Sequence, residues 1–171
     1  MDKTVDFKNS VVKTLTGGVQ GLLKANKVTI FNGLGQVNPD KTVTIGSETI
    51  KGRNIWINLT KVSRINIPGI ESQLVMTSDD ILDLRELPKS LAVMGGGVVG
   101  IELGLVYASY GVEVTVVEMA DRIIPAMDKE VSLELQKILA KKGMKIMTSV
   151  GVSEIVEANN QLTLKLNNGE E

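Results

Sequence analysis

A chain of 171 residues has room for one domain, or for one and part of another. Its 19 Lys and Arg against 20 Asp and Glu leave a formal charge of −1, which gives no electrostatic case for nucleic acid or an anionic membrane as partner. With no cysteine and no histidine, its own residues cannot perform thiol exchange or imidazole base catalysis, and neither a disulfide framework nor a transition-metal site is expected.

Aromatic residues make up only 3% of the chain, so the core must come from Val, Ile, Leu, Ala and Met. No apolar run approaches the roughly 18 residues of a membrane-spanning helix. The opening Met1-Asp-Lys-Thr-Val-Asp-Phe-Lys8 lacks the apolar centre of a signal peptide, and the expected location is the cytoplasm.

Residues 4–25 read as a helix. Val5, Val12 and Val19 recur every seven positions, and Val11, Leu15, Leu22 and Leu23 widen the stripe. Gly17, Gly18 and Gly21 each weaken it by roughly 1 kcal/mol relative to Ala, and close packing against a neighbour is the expected reason for them. Short runs of β-formers follow at Val28–Phe31, Thr42–Ile45 and Ile55–Ile57, separated by Gly33, Gly35, Asn38-Pro-Asp40 and Gly46-Ser47. Asn38-Pro39-Asp40-Lys41 predicts a turn between antiparallel neighbours. Pro68-Gly69 marks a break, and the expected organisation is one domain segment over 1–70 and a second over 71–171.

Thr77-Ser-Asp-Asp80 supplies an N-cap for a short helical turn through Leu84, and Pro88 stops any helix before a strand at Leu91. Strand and helix then alternate. The helix after Gly100 places Leu103, Val106, Tyr107 and Tyr110 on one side, and Gly111 ends it before a strand at Val112–Val117. Asp128 caps a further helix with Val131, Leu135, Ile138 and Leu139 as its buried face, closed by Gly143 with Lys141 and Lys142 in the last turn. Lys145–Thr148 is a third strand. Glu154–Val156 and Leu162–Leu166 flank Asn159-Asn160 as a hairpin. The chain stops just after a strand, as a cut piece would. The expected class is α/β: a Rossmann-like parallel sheet with helices plus a β-hairpin, preceded by a helix and short strands.

The chemistry concentrates at Gly95, Gly96, Gly97, Val98, Val99 and Gly100, a G-x-G-x-x-G between an apolar strand and a helix. A pyrophosphate must be approached without a bulky side chain in the way. Gly95 permits the sharp turn, Gly97 lets the backbone reach the phosphates, and Gly100 lets the helix press on the strand. The helix N-terminus offers unpaired N–H groups and the positive end of its dipole. The next strand ends on Glu118, roughly 20 residues after the first glycine, where an acid accepts hydrogen bonds from an adenosine ribose. A carboxylate there repels a 2′-phosphate, so NAD is expected over NADP; Arg122 nearby softens that preference without replacing the acid. Two residues keep two readings. Glu102 is a dinucleotide contact or simply an acid near a positive helix end. Val98 lines the pocket or fills space between helix and sheet.

Taken together, these segments resemble the pyridine nucleotide-disulfide oxidoreductase family, and within it the dihydrolipoyl dehydrogenase group. The resemblance rests on Gly95-Gly-Gly-Val-Val-Gly-Ile-Glu102, on Val114-Thr-Val-Val-Glu-Met119 with Arg122-Ile-Ile124 and Asp128, and on Lys61-Val-Ser-Arg-Ile-Asn-Ile-Pro-Gly69 leading to Thr77-Ser-Asp-Asp80. It extends to the Gly17-Gly18 helix and Asn26-Lys-Val-Thr29.

The resemblance implies a piece of a homodimeric flavoprotein that reoxidises the dihydrolipoyl group of 2-oxoacid dehydrogenase complexes, passing electrons through a redox disulfide and FAD to NAD. It places the NAD pyrophosphate on Gly95 to Glu102 and the adenosine ribose on Glu118. It sets Glu102 beside the nicotinamide amide, makes Val98 the side chain gating the nicotinamide pocket, and brings Val150 to the adenine side. It also implies what this chain lacks: the family's own FAD-binding glycine motif, its Cys-x4-Cys pair, and the C-terminal interface domain with its His and Glu. Where the family reads Ala-Thr-Gly near the flavin, this chain has Asn58-Leu-Thr-Lys61, so no FAD is expected on the chain itself. The expectation is an internal fragment, the tail of a split FAD domain followed by most of an NAD domain, inactive alone. Other members of the family, of the NADH oxidase, mercuric reductase or glutathione reductase type, and a non-enzymatic NAD-binding module are the alternatives. An apolar face on the first helix, deprived of its sheet, predicts self-association.

Overall fold

Helix α1 runs over Asp2–Ala25, beginning two residues before the periodic stripe suggests, with Asp2 in its first turn and Lys24 in its last complementing the helix dipole. The computed structural model describes residues 1–58 and 65–171. The altered segment Asn58–Lys61 and the start of the Lys61–Gly69 stretch therefore lie largely outside the described residues. Two units separate by their contacts, Asp6–Lys61 and Met1–Val5 with Val62–Glu171.

In the first unit, β1 (Gly35–Val37), β2 (Thr42–Ile45) and β3 (Glu48–Lys51) form an antiparallel meander in the order β1-β2-β3. The turn at Asn38–Lys41 is held by Asp40, whose carboxylate accepts from the Thr42 hydroxyl at 2.7 Å and the Thr42 N–H at 3.2 Å. β1 and β3 were not evident from residue type; both exist because Thr42–Ile45 offers a pairing edge on each side. Val28–Phe31 and Ile55–Ile57, in contrast, join no strand ladder, since β-propensity without a neighbouring edge does not make one. The rest of α1 exposes Val11, Val12, Leu15, Val19 and Leu22. Among the described residues, a β-carbon added at Gly17, Gly18 or Gly21 would meet nothing within 4 Å, so the close packing expected of these glycines is not made by them.

The second unit holds a parallel sheet, β4 (Ser90–Met94), β5 (Glu113–Val117) and β6 (Lys145–Met147), in that order, with α3 (Val98–Ser109) and α4 (Lys129–Lys141) as the crossovers. Val114, Val116 and Val117 of the central strand are all buried, as a strand covered on both faces requires. They join Ile101, Tyr107, Leu139 and Met144 in the core, each such side chain contributing about 1.5–3 kcal/mol on burial. The short helix α2 (Ser78–Leu82) starts with the expected cap, made reciprocal by Asp80, which accepts from the Thr77 N–H at 2.8 Å. The Tyr107 hydroxyl donates to the Ile81 carbonyl at 2.7 Å and ties α2 to α3. The first turn of α1 belongs to this unit: Val5 is buried, Thr4 Oγ1 lies 2.8 Å from the Tyr110 hydroxyl, and Asp2 pairs with Arg85 at 3.3 Å.

The buried face of α4 differs from that expected, and on α3 the side holding Leu103, Val106, Tyr107 and Tyr110 is only partly buried. On α3 the inward residues are Ile101, Gly104 and Tyr107, while Val106 and Tyr110 are exposed and Leu103 is half-buried. The helix is apolar on nearly every side, so periodicity carried no contrast to choose a face; close approach chose it, with a Gly104 β-carbon falling 3.4 Å from Val114 and 3.2 Å from Met144. On α4 the buried residues are Ser132 and Leu139, with Leu135 half-buried and Val131 and Ile138 exposed. Asp128 occupies the N-cap position without a side-chain capping bond.

Both crossover helices end alike. Gly111 and Gly143 have φ of +86° and +87°, and the residue after each donates back to the helix, Val112 to Tyr107 at 3.2 Å and Met144 to Leu139 at 3.1 Å. The hairpin forms as expected from β7 (Val152–Ala158) and β8 (Gln161–Leu166), with Asn159 and Asn160 at φ of 52° and 59° in the turn. Ile155 donates to the Pro68 carbonyl at 2.9 Å, and a β-carbon on Gly69 would run into the Ile155 carbonyl.

Candidate functional site

β4 leaves the sheet at Gly95, whose N–H extends the ladder to the Val117 carbonyl at 2.8 Å while its φ of +105° turns the chain. That conformation is open to glycine and strained for other residues. Gly97 is the N-cap of α3 and has no side chain to cap with. The first helical bond runs from Ile101 N–H to the Gly97 carbonyl at 3.0 Å. The amides of Val98, Val99 and Gly100 thus precede the ladder, where the helix dipole is positive. Gly97, Val98 and Val99 are exposed, and a β-carbon on Gly97 would meet nothing within 4 Å. Protein packing does not require glycine at Gly97, whereas a ligand lying on the backbone there would. Gly100 is different: its β-carbon would fall 2.5 Å from the Gly95 carbonyl oxygen and 3.0 Å from Val93.

Gly96 received no reason of its own in the sequence, yet it is the buried member of the turn. A β-carbon on it would lie 2.9 Å from Ile123 and 3.2 Å from Glu118. Its N–H donates to Glu118 Oε2 at 2.6 Å and its carbonyl accepts from Ile124 N–H at 2.7 Å. Glu118 Oε1 accepts from Ala120 N–H at 2.7 Å. The acid at the tip of β5 therefore stands beside the glycine turn, with one hydrogen bond on each oxygen and acceptor capacity left on both. Val150 joins it, donating its N–H to the Glu118 carbonyl at 3.0 Å.

Glu102 is exposed and lies in the second turn of α3, because the helix begins at Val98 and not after Gly100. The reading of Glu102 as an acid near the positive helix end, which takes the helix to start after Gly100, is thereby corrected. Arg122 is engaged locally, with Nη1 2.9 Å from Asp121 and Nη2 donating to the Pro125 carbonyl at 3.1 Å. The hydrogen bonds of Gly96 and the contributions of Ala120, Ile123 and Ile124 were missed; the one signal for them was a fourth glycine inside the motif, at a position the motif leaves free. Among the described residues no group of three or more acidic side chains could hold a metal, and no helix is long and apolar enough to cross a membrane.

Against known proteins, a family model described as pyridine nucleotide-disulphide oxidoreductase matches residues 2–171. The dihydrolipoyl dehydrogenase of Acholeplasma laidlawii is 37% identical over 158 residues, covering 90% of this chain and 47% of that protein. The dihydrolipoyl dehydrogenase of Geobacillus stearothermophilus is 38% identical over 174 residues, 93% of this chain and 37% of its own length. In structure, the HOCl-induced flavoprotein disulfide reductase RclA of Escherichia coli superposes with a TM-score of 0.82 at 27% identity, over 94% of this chain and 38% of that one. The chain thus spans less than half the length of the relatives it matches.

Proposed function

From the premise that this chain belongs to the pyridine nucleotide-disulphide oxidoreductase family, we propose that residues 71–171 bind NAD(H) and that residues 1–70 derive from a flavin-domain segment. The observation carrying this is the placement of Glu118 beside the Gly95–Gly100 turn, at the carboxyl edge of a parallel sheet and at the N-terminus of the crossover helix. The amides of Val98, Val99 and Gly100 meet the pyrophosphate, with Gly95 shaping the turn and Gly97 leaving room for close approach. Glu118 accepts from the adenosine ribose through its remaining lone pairs and disfavours a 2′-phosphate. Val150 borders the adenine side. Glu102 and Val98 face the nicotinamide half.

When bound, the nicotinamide supplies the hydride-accepting carbon of the redox reaction. This chain's residues bind and orient it, and no cysteine or histidine is present to do more. In the intact protein we assign the site to a dihydrolipoyl dehydrogenase, a homodimer with FAD and a redox disulfide that oxidises the lipoyl groups of 2-oxoacid dehydrogenase complexes.

Fluorescence titration of the purified chain tests the site. NADH saturates it, NADPH binds at least about tenfold more weakly, and added FAD is not retained. Equal affinity for NADH and NADPH, or none for either, overturns the assignment.

A further inference from the structure

The connection from β5 to α4 is fastened to the glycine turn through one buried residue. Both backbone groups of Gly96 are engaged on it, the N–H by Glu118 Oε2 at 2.6 Å and the carbonyl by Ile124 N–H at 2.7 Å. The second oxygen of Glu118 holds Ala120 N–H at 2.7 Å. The Glu118 backbone is itself pinned, its N–H to the Met147 carbonyl at 2.8 Å and its carbonyl by Val150 N–H at 3.0 Å. Ser149 N–H reaches the Ala120 carbonyl at 2.8 Å. The Glu118 side chain cannot swing toward a ligand or away from one without releasing the Gly96 amide, and bonds from an amide to a carboxylate are the stronger kind.

We infer that Glu118 is a positioning residue for the pyrophosphate turn in addition to its ribose role, an inference that rests on the dinucleotide reading above. The consequence concerns cofactor preference. Removing the carboxylate lifts the repulsion toward a 2′-phosphate, but it also frees a buried N–H and loosens the turn that both NAD and NADP need. Substitution at Glu118 therefore weakens both dinucleotides instead of exchanging one for the other. Glutamine keeps the length and offers one accepting oxygen, so it holds at most one of the two amides while its NH2 group opposes the other. Alanine holds neither.

Amide hydrogen exchange on the 171-residue chain without nucleotide, followed by NADH and NADPH titration, tests this in Glu118→Gln and Glu118→Ala. The Ile155 amide, bonded to Pro68 on the hairpin, reports whether the fold survives. Gly96 exchange is expected to rise about tenfold or more in both variants with Ile155 unchanged, NADH affinity to fall by a similar factor, and NADPH affinity not to rise. If alanine also exposes Ile155, the near-isosteric glutamine variant decides the matter. Unchanged Gly96 protection, or a variant taking NADPH as well as the parent takes NADH, overturns the proposal. A parent that binds no NADH while Glu118→Gln still releases Gly96 sustains the positioning role and rejects the dinucleotide reading instead.

Discussion

Gly100 and Gly95 approach so closely that a β-carbon on the first would stand 2.5 Å from the carbonyl oxygen of the second. The obstacle is backbone and cannot rotate away, so Gly100→Ala must push α3 off the turn. The expected cost is about 1–3 kcal/mol, the range for overpacking, read as a lower denaturant midpoint.

Gly96 and Gly97 separate stability from binding. Gly96→Ala crowds Ile123 and Glu118 and is expected to destabilise by about 1–3 kcal/mol. Gly97→Ala meets open space and is expected to change stability by less than about 0.5 kcal/mol while weakening NADH. Paired urea melts and NADH titrations check this. A Gly97→Ala chain that binds NADH like the parent would remove the ligand-based reason for that glycine.

Tyr107 links stability to alkaline pH. Burial raises its hydroxyl above the ordinary value of 10.0. A group whose folded pKa is raised contributes stability that is complete below the unfolded pKa and lost as pH climbs through the folded one. The parent chain should therefore lose stability above about pH 10, and Tyr107→Phe should lose less there. At neutral pH the same variant forfeits the bond to Ile81, at a cost of about 1 kcal/mol. Urea midpoints between pH 7 and 11 read both effects.

On α1, Val12, Leu15, Val19 and Leu22 are exposed at heptad spacing. Sedimentation of the chain should show association that grows with concentration. The double substitution Leu15→Lys with Leu22→Lys should shift it toward the monomer, and an unchanged distribution would assign the association to another surface.

Most of the second unit was legible because its signals are local and agree. A strand, a turn rich in glycine, a helix and an acid at a strand tip each follow from nearby residues, and the hairpin is announced by Asn159-Asn160. What escaped was set by tertiary contact. Val98–Ser109 has no polar face to contrast with its apolar one, so Gly104 and its neighbours decided what turned inward. Ser132 is buried although its type suggests otherwise, since its hydroxyl finds the Ile124 carbonyl at 3.4 Å. β3 reads as polar, Glu48-Thr-Ile-Lys51, and exists because β2 had an edge to offer. In the site, the spacing located Glu118 but not its grip on Gly96, because a hydrogen bond between residues 96 and 118 leaves no periodic trace.

The two glycine helix ends have a consequence for how the sheet tolerates change. After Gly111 and Gly143 the chain enters buried Val112 and Met144 at once, so the amino edge of the sheet has no slack in its connections. An added residue there displaces a core side chain. At the opposite edge, the stretches from Glu118 to Asp128 and from Thr148 to Gly151 are irregular and longer, while the turn from Gly95 to Gly97 is as short as the glycine helix ends. Within this sheet the two crossover returns are sewn shut, and the loops with length to vary lie at the other margin.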